Sequence, residues 1–338
     1  MANIFFLGAT GHIGGAIVRA TLIRSSHVQI TALVRDKGRA ERLETAFEGI
    51  QTVLGDLGDV DLIEAQSAAS SIVINATPDW LPESPSAIQG ALRGLSSRPN
   101  RGFYIQTSGA FLVGEKGNGN RESQTIWDDI EDIEQIINMP SDRYHQQTDH
   151  LVRSMSMGVH VAIVSPVVVY GMSPSPENQV PLTLRDIVDT AQRLSAGFTM
   201  SQGRNILGYV HVEDVADIYV RLIADAIKSG GASDSRLWGR QAYYFATGGE
   251  LTFTQFMEML VPALVERGVV STDVIKRIGP ESDRSDLQIV EETADVHGYG
   301  ANVRCRSSRA ETLLGWTPTS PSCGETLAEV VDCLLRNA

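Results

Sequence analysis

Gly8, Gly11 and Gly14 stand at G-x-x-G-x-x-G spacing, directly after the apolar run 4–7 and ahead of a helical pattern in Ala16, Ile17, Val18, Ala20, Leu22 and Ile23. A strand, a glycine turn and a helix in that order make a cradle for a dinucleotide. Gly8 permits the tight turn off the strand, Gly11 lets the backbone approach a pyrophosphate with no Cβ in the way, and Gly14 lets the helix pack close to the sheet. Thr10, His12 and Ile13 complete the turn. The helix start offers unpaired N–H groups and the positive end of its dipole to phosphate oxygens.

The ends of the following strands are the next places where a dinucleotide would be met. The second strand, 28–34, leads to Arg35, where an acidic residue ordinarily takes the ribose 2′-hydroxyl of NAD. A guanidinium there, with Lys37 or Arg39 nearby, complements a 2′-phosphate instead, so NADP is expected ahead of NAD, with Asp36 as an opposing charge. Asp56, in Gly55-Asp56-Leu57 after the third strand, suits either an adenine amino group or the cap of the next helix. Asn75, Ala76, Thr77 and Pro78 end the fourth strand on the ligand side, where small residues admit a cofactor.

Only a parallel sheet brings these positions to one edge. Strand patterns at 3–7, 28–34, 51–54, 71–76, 102–107 and 159–165 alternate with helical ones at 12–24, 36–47, 60–69, 84–97 and 142–157. That alternation predicts an α/β protein: a doubly wound parallel-sheet Rossmann domain with a smaller C-terminal α/β substrate lobe. The Rossmann domain is expected over 1–171 and about 207–248, the lobe over about 172–206 and 249–338. Phe198, Met200, Trp238, Phe253 and Met257 are the apolar candidates for substrate contact, and Thr252 with Gln255 has the spacing of a capping box.

The chain has 338 residues and a formal charge of −13, and no basic run of useful length, which argues against nucleic acid as a partner. Its acidic segments 128–134 and 281–295 read as solvated faces. Cys305, Cys323 and Cys333 are odd in number and lack CxxC spacing, so neither metal nor disulfide roles are expected and a reducing compartment fits. No targeting pattern precedes the first strand, and the apolar stretch 159–170 is too short and too interrupted to span a bilayer. A cytoplasmic monomer or homodimer with a small-molecule substrate and no membrane partner is expected.

Landmarks along nearly the whole chain resemble the extended short-chain dehydrogenase/reductase superfamily, of the epimerase/dehydratase-like kind. The segment from Gly8 to Gly14 is similar to its glycine loop, Gly55-Asp56-Leu57 to its adenine-side motif, and Thr107-Ser108-Gly109-Ala110 to the end of its fifth strand. The segment from Ser165 through Pro166 and Val168 to Tyr170-Gly171 resembles RPxxVYG, that from Val210 to Asp217 resembles VHVDDVA, and Leu314-Gly315-Trp316-Thr317-Pro318 resembles LGWxP. The resemblance implies a nicotinamide cofactor, bordered also by Pro166 and Val168, with a catalytic serine at the fifth strand and a Tyr-x-x-x-Lys pair on the next helix.

Here the sequence departs from the family pattern. Its best match is Tyr144-His145-Gln146-Gln147-Thr148, and no lysine occurs between 117 and 227. The family lysine lowers the tyrosine pKa; Thr148 carries no charge, and a tyrosine near pKa ~10 is a poor base at neutral pH. Shifted by one residue, His145 and Asp149 stand i, i+4, where one helix face would join an imidazole to a carboxylate suited to proton transfer. Tyr144 is the family-matched proton donor and His145 its rival. Ser108 is the expected hydroxyl beside the substrate, with Thr107 close by, and Tyr170 either borders the nicotinamide or packs.

The leading expectation is an NADP(H)-dependent reductase or dehydrogenase acting on a small, largely apolar or aromatic carbonyl or enone. Two alternatives stand beside it: a non-redox isomerase, lyase or cyclase using His145 or Tyr144, and a redox-inert nucleotide-binding sensor.

Overall fold

Parallel strands buried on both faces read as continuous apolar runs, and the central sheet is built from such runs. The computed structural model describes residues 2–25, 27–228, 234–293 and 296–336. Strands β1 (Ala2–Leu7), β2 (Val28–Val34), β3 (Gln51–Leu54), β4 (Ile72–Asn75) and β5 (Phe103–Thr107) are joined in the sheet by His160–Pro166 and Tyr243–Ala246. Their order is β3-β2-β1-β4-β5, then His160–Pro166, then Tyr243–Ala246 at the edge, and every pairing is parallel. Ile4, Phe5, Phe6 and Leu7 on β1 and Ile72, Val73 and Ile74 on β4 are all buried. The winding reverses between β1 and β4, which opens a crevice beyond their C-terminal ends.

Helices α1 (His12–Arg24), α2 (Lys37–Ala46), α3 (Val60–Ala69) and α4 (Ser84–Ser96) make the crossovers. The helix Val212–Lys228 packs against α1 on one face, and α3 packs against α4 on the other. The strand Ile206–His211 lies between Gly249–Thr252 and Val168–Tyr170 in a separate three-stranded sheet. Gly197–Met200 pairs with Ile275–Ile278 beyond it. Thr252 and Gln255 form the expected capping box at the start of Phe253–Glu266.

Three expectations need correction. The acidic segment 128–134 is not simply a solvated face, because Asp128 and Asp129 are buried. Asp129 accepts hydrogen bonds from the backbone N–H of Phe245 (2.9 Å) and of Arg309 (2.8 Å), and burial pushes its carboxyl up to about 7. These two acids thus join the edge of the central sheet to the C-terminal region. In the second acidic segment, 294–295 lie outside the described residues, as do 337–338 at the end of the expected lobe.

Of the five apolar residues expected to meet substrate, only Phe253 lines the crevice. Phe198 packs edge-on against Phe253 and Tyr299, Met200 and Met257 are buried, and Trp238 lies against Phe103 with its Nε1–H donated to Asp225. They are core residues. The third correction concerns the helix expected over 142–157, which begins only at Gln146 and runs to Ser154. Among the described residues no helix is long and apolar enough to cross a membrane.

Candidate functional site

The crevice at the strand ends has a volume of about 950 Å³. Its floor is the glycine turn. Gly8 has φ +87°, and a Cβ there would lie 2.6 Å from the Ala76 carbonyl oxygen. A Cβ on Gly14 would lie 2.0 Å from the Gly8 carbonyl oxygen, so turn and helix meet with no room for a side chain. Gly11 is less confined, with the Gly8 oxygen at 3.2 Å from where its Cβ would be, and it lines the crevice with Thr10, His12 and Ile13. This is a cradle that side chains would fill, and its chemistry fits a dinucleotide phosphate at a helix start. Gly11 is the N-cap of α1 without a side-chain capping bond, which leaves the first-turn N–H groups to a ligand.

Arg35 is exposed and lines the crevice with Arg39, Asp56 and Leu57. Asp36 caps α2, accepting from the Arg39 backbone N–H at 2.9 Å. Asp56 does not cap α3: its Oδ1 accepts from the Gly58 N–H at 2.7 Å within the turn. At the end of β4, buried Asn75 accepts from the Thr77 N–H and hydroxyl and donates toward Tyr104 and Gln106, which sets Ala76 and Thr77 against the crevice. Pro166 and Val168 border it from the other side.

The His12 Nε2 lies 2.9 Å from the Gly171 carbonyl oxygen. Burial lowers its pKa to about 4, outweighing that hydrogen bond, so at neutral pH the imidazole is uncharged and Nε2–H donates.

The acid–base candidates are arranged differently from the helical pairing. His145 is the residue before the helix Gln146–Ser154 and has φ +66°, a left-handed conformation uncommon outside glycine. Its Nδ1 lies 2.7 Å from Asp79 Oδ2, not against Asp149, and its Nε2 faces Gly109, where a Cβ would come within 2.5 Å. Thr148 Oγ1 is 3.0 Å from the same Asp79 oxygen and 2.8 Å from the His145 carbonyl oxygen. Burial alone would lower the His145 pKa, but the hydrogen bond and charge of Asp79, with the charge of Asp149, raise it above the ordinary histidine value.

Ser108 donates its hydroxyl proton to Asp149 Oδ2 at 2.8 Å. Both Ser108 and His145 line the crevice. Tyr144 does not: it is 54% exposed and meets Phe111 edge-on. Thr107 is engaged with the Tyr219 hydroxyl at 2.7 Å, and Tyr170 packs against His211 while donating to the Pro321 carbonyl oxygen.

Residues 8–97 match the model of the NAD(P)H-binding family. Among curated proteins the chain is similar to the oxidase ucsJ of an Acremonium species, at 24% identity over 97% of this chain and 96% of that one. Its structure is similar to UDP-glucose 4-epimerase of Stenotrophomonas maltophila, with NAD bound (TM-score 0.67, 13% identity, all of both chains covered). It is likewise similar to dTDP-glucose 4,6-dehydratase of Bacillus anthracis in complex with NAD (TM-score 0.65, 15% identity, covering 100% of this chain and 97% of that one).

The chain shares the Rossmann-like α/β fold of these two structures. Asp79 is the residue of this crevice that sequence reasoning missed. It follows Pro78 at the end of β4, among positions already expected to face a ligand, but nothing in the sequence couples it to His145 66 residues away.

Asp149 is fully buried, and burial pushes its carboxyl up to about 6, opposed by the His145 charge, the Ser108 hydrogen bond and Arg153. A folded pKa above the unfolded value of about 3.9 favours the native state fully only below that unfolded value, and the advantage is lost as pH rises through 6. Asp149→Asn is therefore expected to gain on the order of 2–3 kcal/mol over the parent at pH 8 and little at pH 4. Urea unfolding at the two pH values measures it, and an equal difference at both would show that the carboxyl's titration is not responsible.

Proposed function

We propose that the protein is an NADP(H)-dependent oxidoreductase for a small, largely apolar or aromatic carbonyl or enone, with His145 as its proton-transfer residue. The observation that carries this reading is the His145–Asp79 pair, set at the crevice beside Ser108 and the glycine cradle. A nicotinamide bound in the cradle would supply or accept hydride. Gly8, Gly11 and Gly14 with the α1 N-terminus would hold its phosphates, and Arg35 with Arg39 a 2′-phosphate.

Asp79 holds the proton on His145 Nδ1 and orients the ring. Nε2 is then the atom that takes or gives a proton at the substrate oxygen. Ser108 commits its proton to ionised Asp149 and offers lone pairs to a substrate hydroxyl. With Asp149 protonated, Ser108 is free to donate to a carbonyl oxygen. Trp80, Leu81, Phe111, Leu182, Ile187 and Tyr299 are the apolar part of the remaining wall, beside the charged Glu83, Arg185 and Asp186, and suit a substrate with an apolar or aromatic body. The lobe of 172–206 and 249–338 supplies Leu182, Ile187 and Tyr299. That the curated relative is named an oxidase, and the structural relatives an epimerase and a dehydratase, supports an enzyme using nicotinamide.

The test is a panel of quinones, enones and aldehydes with NADPH, followed by nicotinamide fluorescence, together with the matching alcohols and NADP. Substrate-dependent loss or gain of fluorescence is expected; silence across the panel in both directions would sink the redox reading. A second reading, non-redox proton transfer, is favoured by the same His145–Asp79 pair, which moves a proton without the missing lysine. Product formed with no net change in cofactor selects it.

Cofactor choice has its own test. Arg35→Asp is expected to weaken NADPH binding by ~1.5–3 kcal/mol, since a charge-assisted pair becomes a repulsion, and to leave NADH binding nearly unchanged. Titration of both nucleotides measures this, and equal losses would remove the NADP assignment.

A further inference from the structure

The segment 172–179 straps the glycine turn from outside. Ser173 donates to the His12 carbonyl oxygen (2.6 Å), and Ser175 Oγ and Asn178 Nδ2 both donate to the Thr10 carbonyl oxygen (2.8 Å each). Contact is close enough that a Cβ on Gly15 would lie 2.6 Å from the Ser175 Cβ. Ser175 Oγ in turn accepts from the backbone N–H groups of Glu177 (3.2 Å) and Asn178 (3.1 Å), which fixes where the Glu177 side chain leaves the strap. That carboxylate is only 13% exposed and reaches α2, where it pairs with Arg42 Nε and lies 3.9 Å from Arg39 Nε.

Arg39 lines the crevice next to Arg35. Its guanidinium also lies 3.3 Å from Asp36, so the basic cluster at the end of β2 is already partly neutralised by two carboxylates, one from its own helix cap and one from 135 residues beyond Arg42. A carboxylate carries one negative charge. A phosphate monoester carries between one and two, with three acceptor oxygens for the guanidinium forks.

We propose that Glu177 is a cofactor-specificity residue, an internal carboxylate that sits between Arg39 and Arg42 and competes with the 2′-phosphate of NADP(H) for Arg39. This rests on the reading of Arg35 and Arg39 as the 2′-phosphate site. Glu177 sets the affinity for 2′-phosphorylated nucleotides without touching that for unphosphorylated ones, because its charge faces the guanidinium pair rather than the glycine cradle.

Calorimetric titration of the full chain with 2′,5′-ADP and with 5′-ADP tests the proposal without any turnover. In Glu177→Gln the affinity for 2′,5′-ADP is expected to rise about two- to fivefold, the scale of relieving a partly exposed ion pair, while that for 5′-ADP is unchanged. Glu177→Ala must shift in the same sense. Loss of 2′,5′-ADP affinity, or equal shifts for both ligands, would mean that Glu177 only props the strap and would overturn the proposal.

The parent's own preference separates this idea from the reading beneath it. If the parent prefers 2′,5′-ADP and Glu177→Gln changes nothing, the competition falls and the NADP reading stands. If the parent shows no preference but Glu177→Gln creates one, the competition stands and the parent's NADP preference falls. If neither appears, both fall.

Discussion

His145→Gln is expected to lower turnover by on the order of 10²–10⁴-fold with cofactor affinity unchanged, because it removes the proposed proton-transfer atom and leaves the glycine turn intact. Tyr144→Phe, at an exposed side chain outside the crevice, is expected to leave turnover near the parent's. The pH profile adds a sign. In the direction that oxidises an alcohol His145 must be neutral to accept a proton, so the rate rises with pH through a limb above 6.5, where Asp79 holds its pKa. In the reducing direction the same limb falls. Asp79→Asn removes the charge that raises the limb, so the limb moves to lower pH and turnover drops along with it. Steady-state kinetics of the three variants between pH 5 and 9 decide the matter; a large loss in Tyr144→Phe with a silent His145→Gln would return the chemistry to the tyrosine.

Gly11→Val is expected to abolish nucleotide binding while the fold persists. The parent should be stabilised by added NADPH, by about 2.7 kcal/mol at a hundredfold excess over Kd, and the variant by nothing. Gly11 suits this test because its Cβ would be tight against only the Gly8 oxygen at 3.2 Å, so the two branches of valine occupy the ligand's path more than the protein's. Gly8 and Gly14 would not separate binding from folding, since a Cβ at either collides with backbone at 2.6 or 2.0 Å. A thermal melt of parent and variant with and without NADPH is sufficient. Undiminished stabilisation of Gly11→Val would place the nucleotide elsewhere.

The order of elements in the first half of the chain is legible in its sequence. Expected helix 12–24 and strands 28–34 and 51–54 coincide with α1, β2 and β3, because hydrophobic period and glycine position are local properties that a crossover fold leaves alone. The glycine turn and Arg35 were legible for the same reason: strand end, turn and helix start adjoin in the chain, so spacing alone places them on one edge of the sheet. The Thr252–Gln255 capping box is local too, and it formed.

The His145–Asp79 pairing was not legible, and the reason is one backbone angle. A helix through 142–157 would have set His145 over Asp149 one turn on; with φ +66° His145 stands outside the helix and its ring turns to Asp79, a residue on the loop after β4. That leaves Asp149 to Ser108 on the neighbouring strand end. Asp128 and Asp129 look like solvent-facing charge until the C-terminal residues Ser308 and Arg309 close over them. Glu177 meets Arg42 only because the strap crosses the glycine turn. Local sequence was enough to foresee the sheet, its crossovers and the glycine turn, since each depends on neighbours in the chain. Which carboxylate serves which base was decided by tertiary structure alone, because partners brought together from 66 or 135 residues apart leave no periodic trace in the chain.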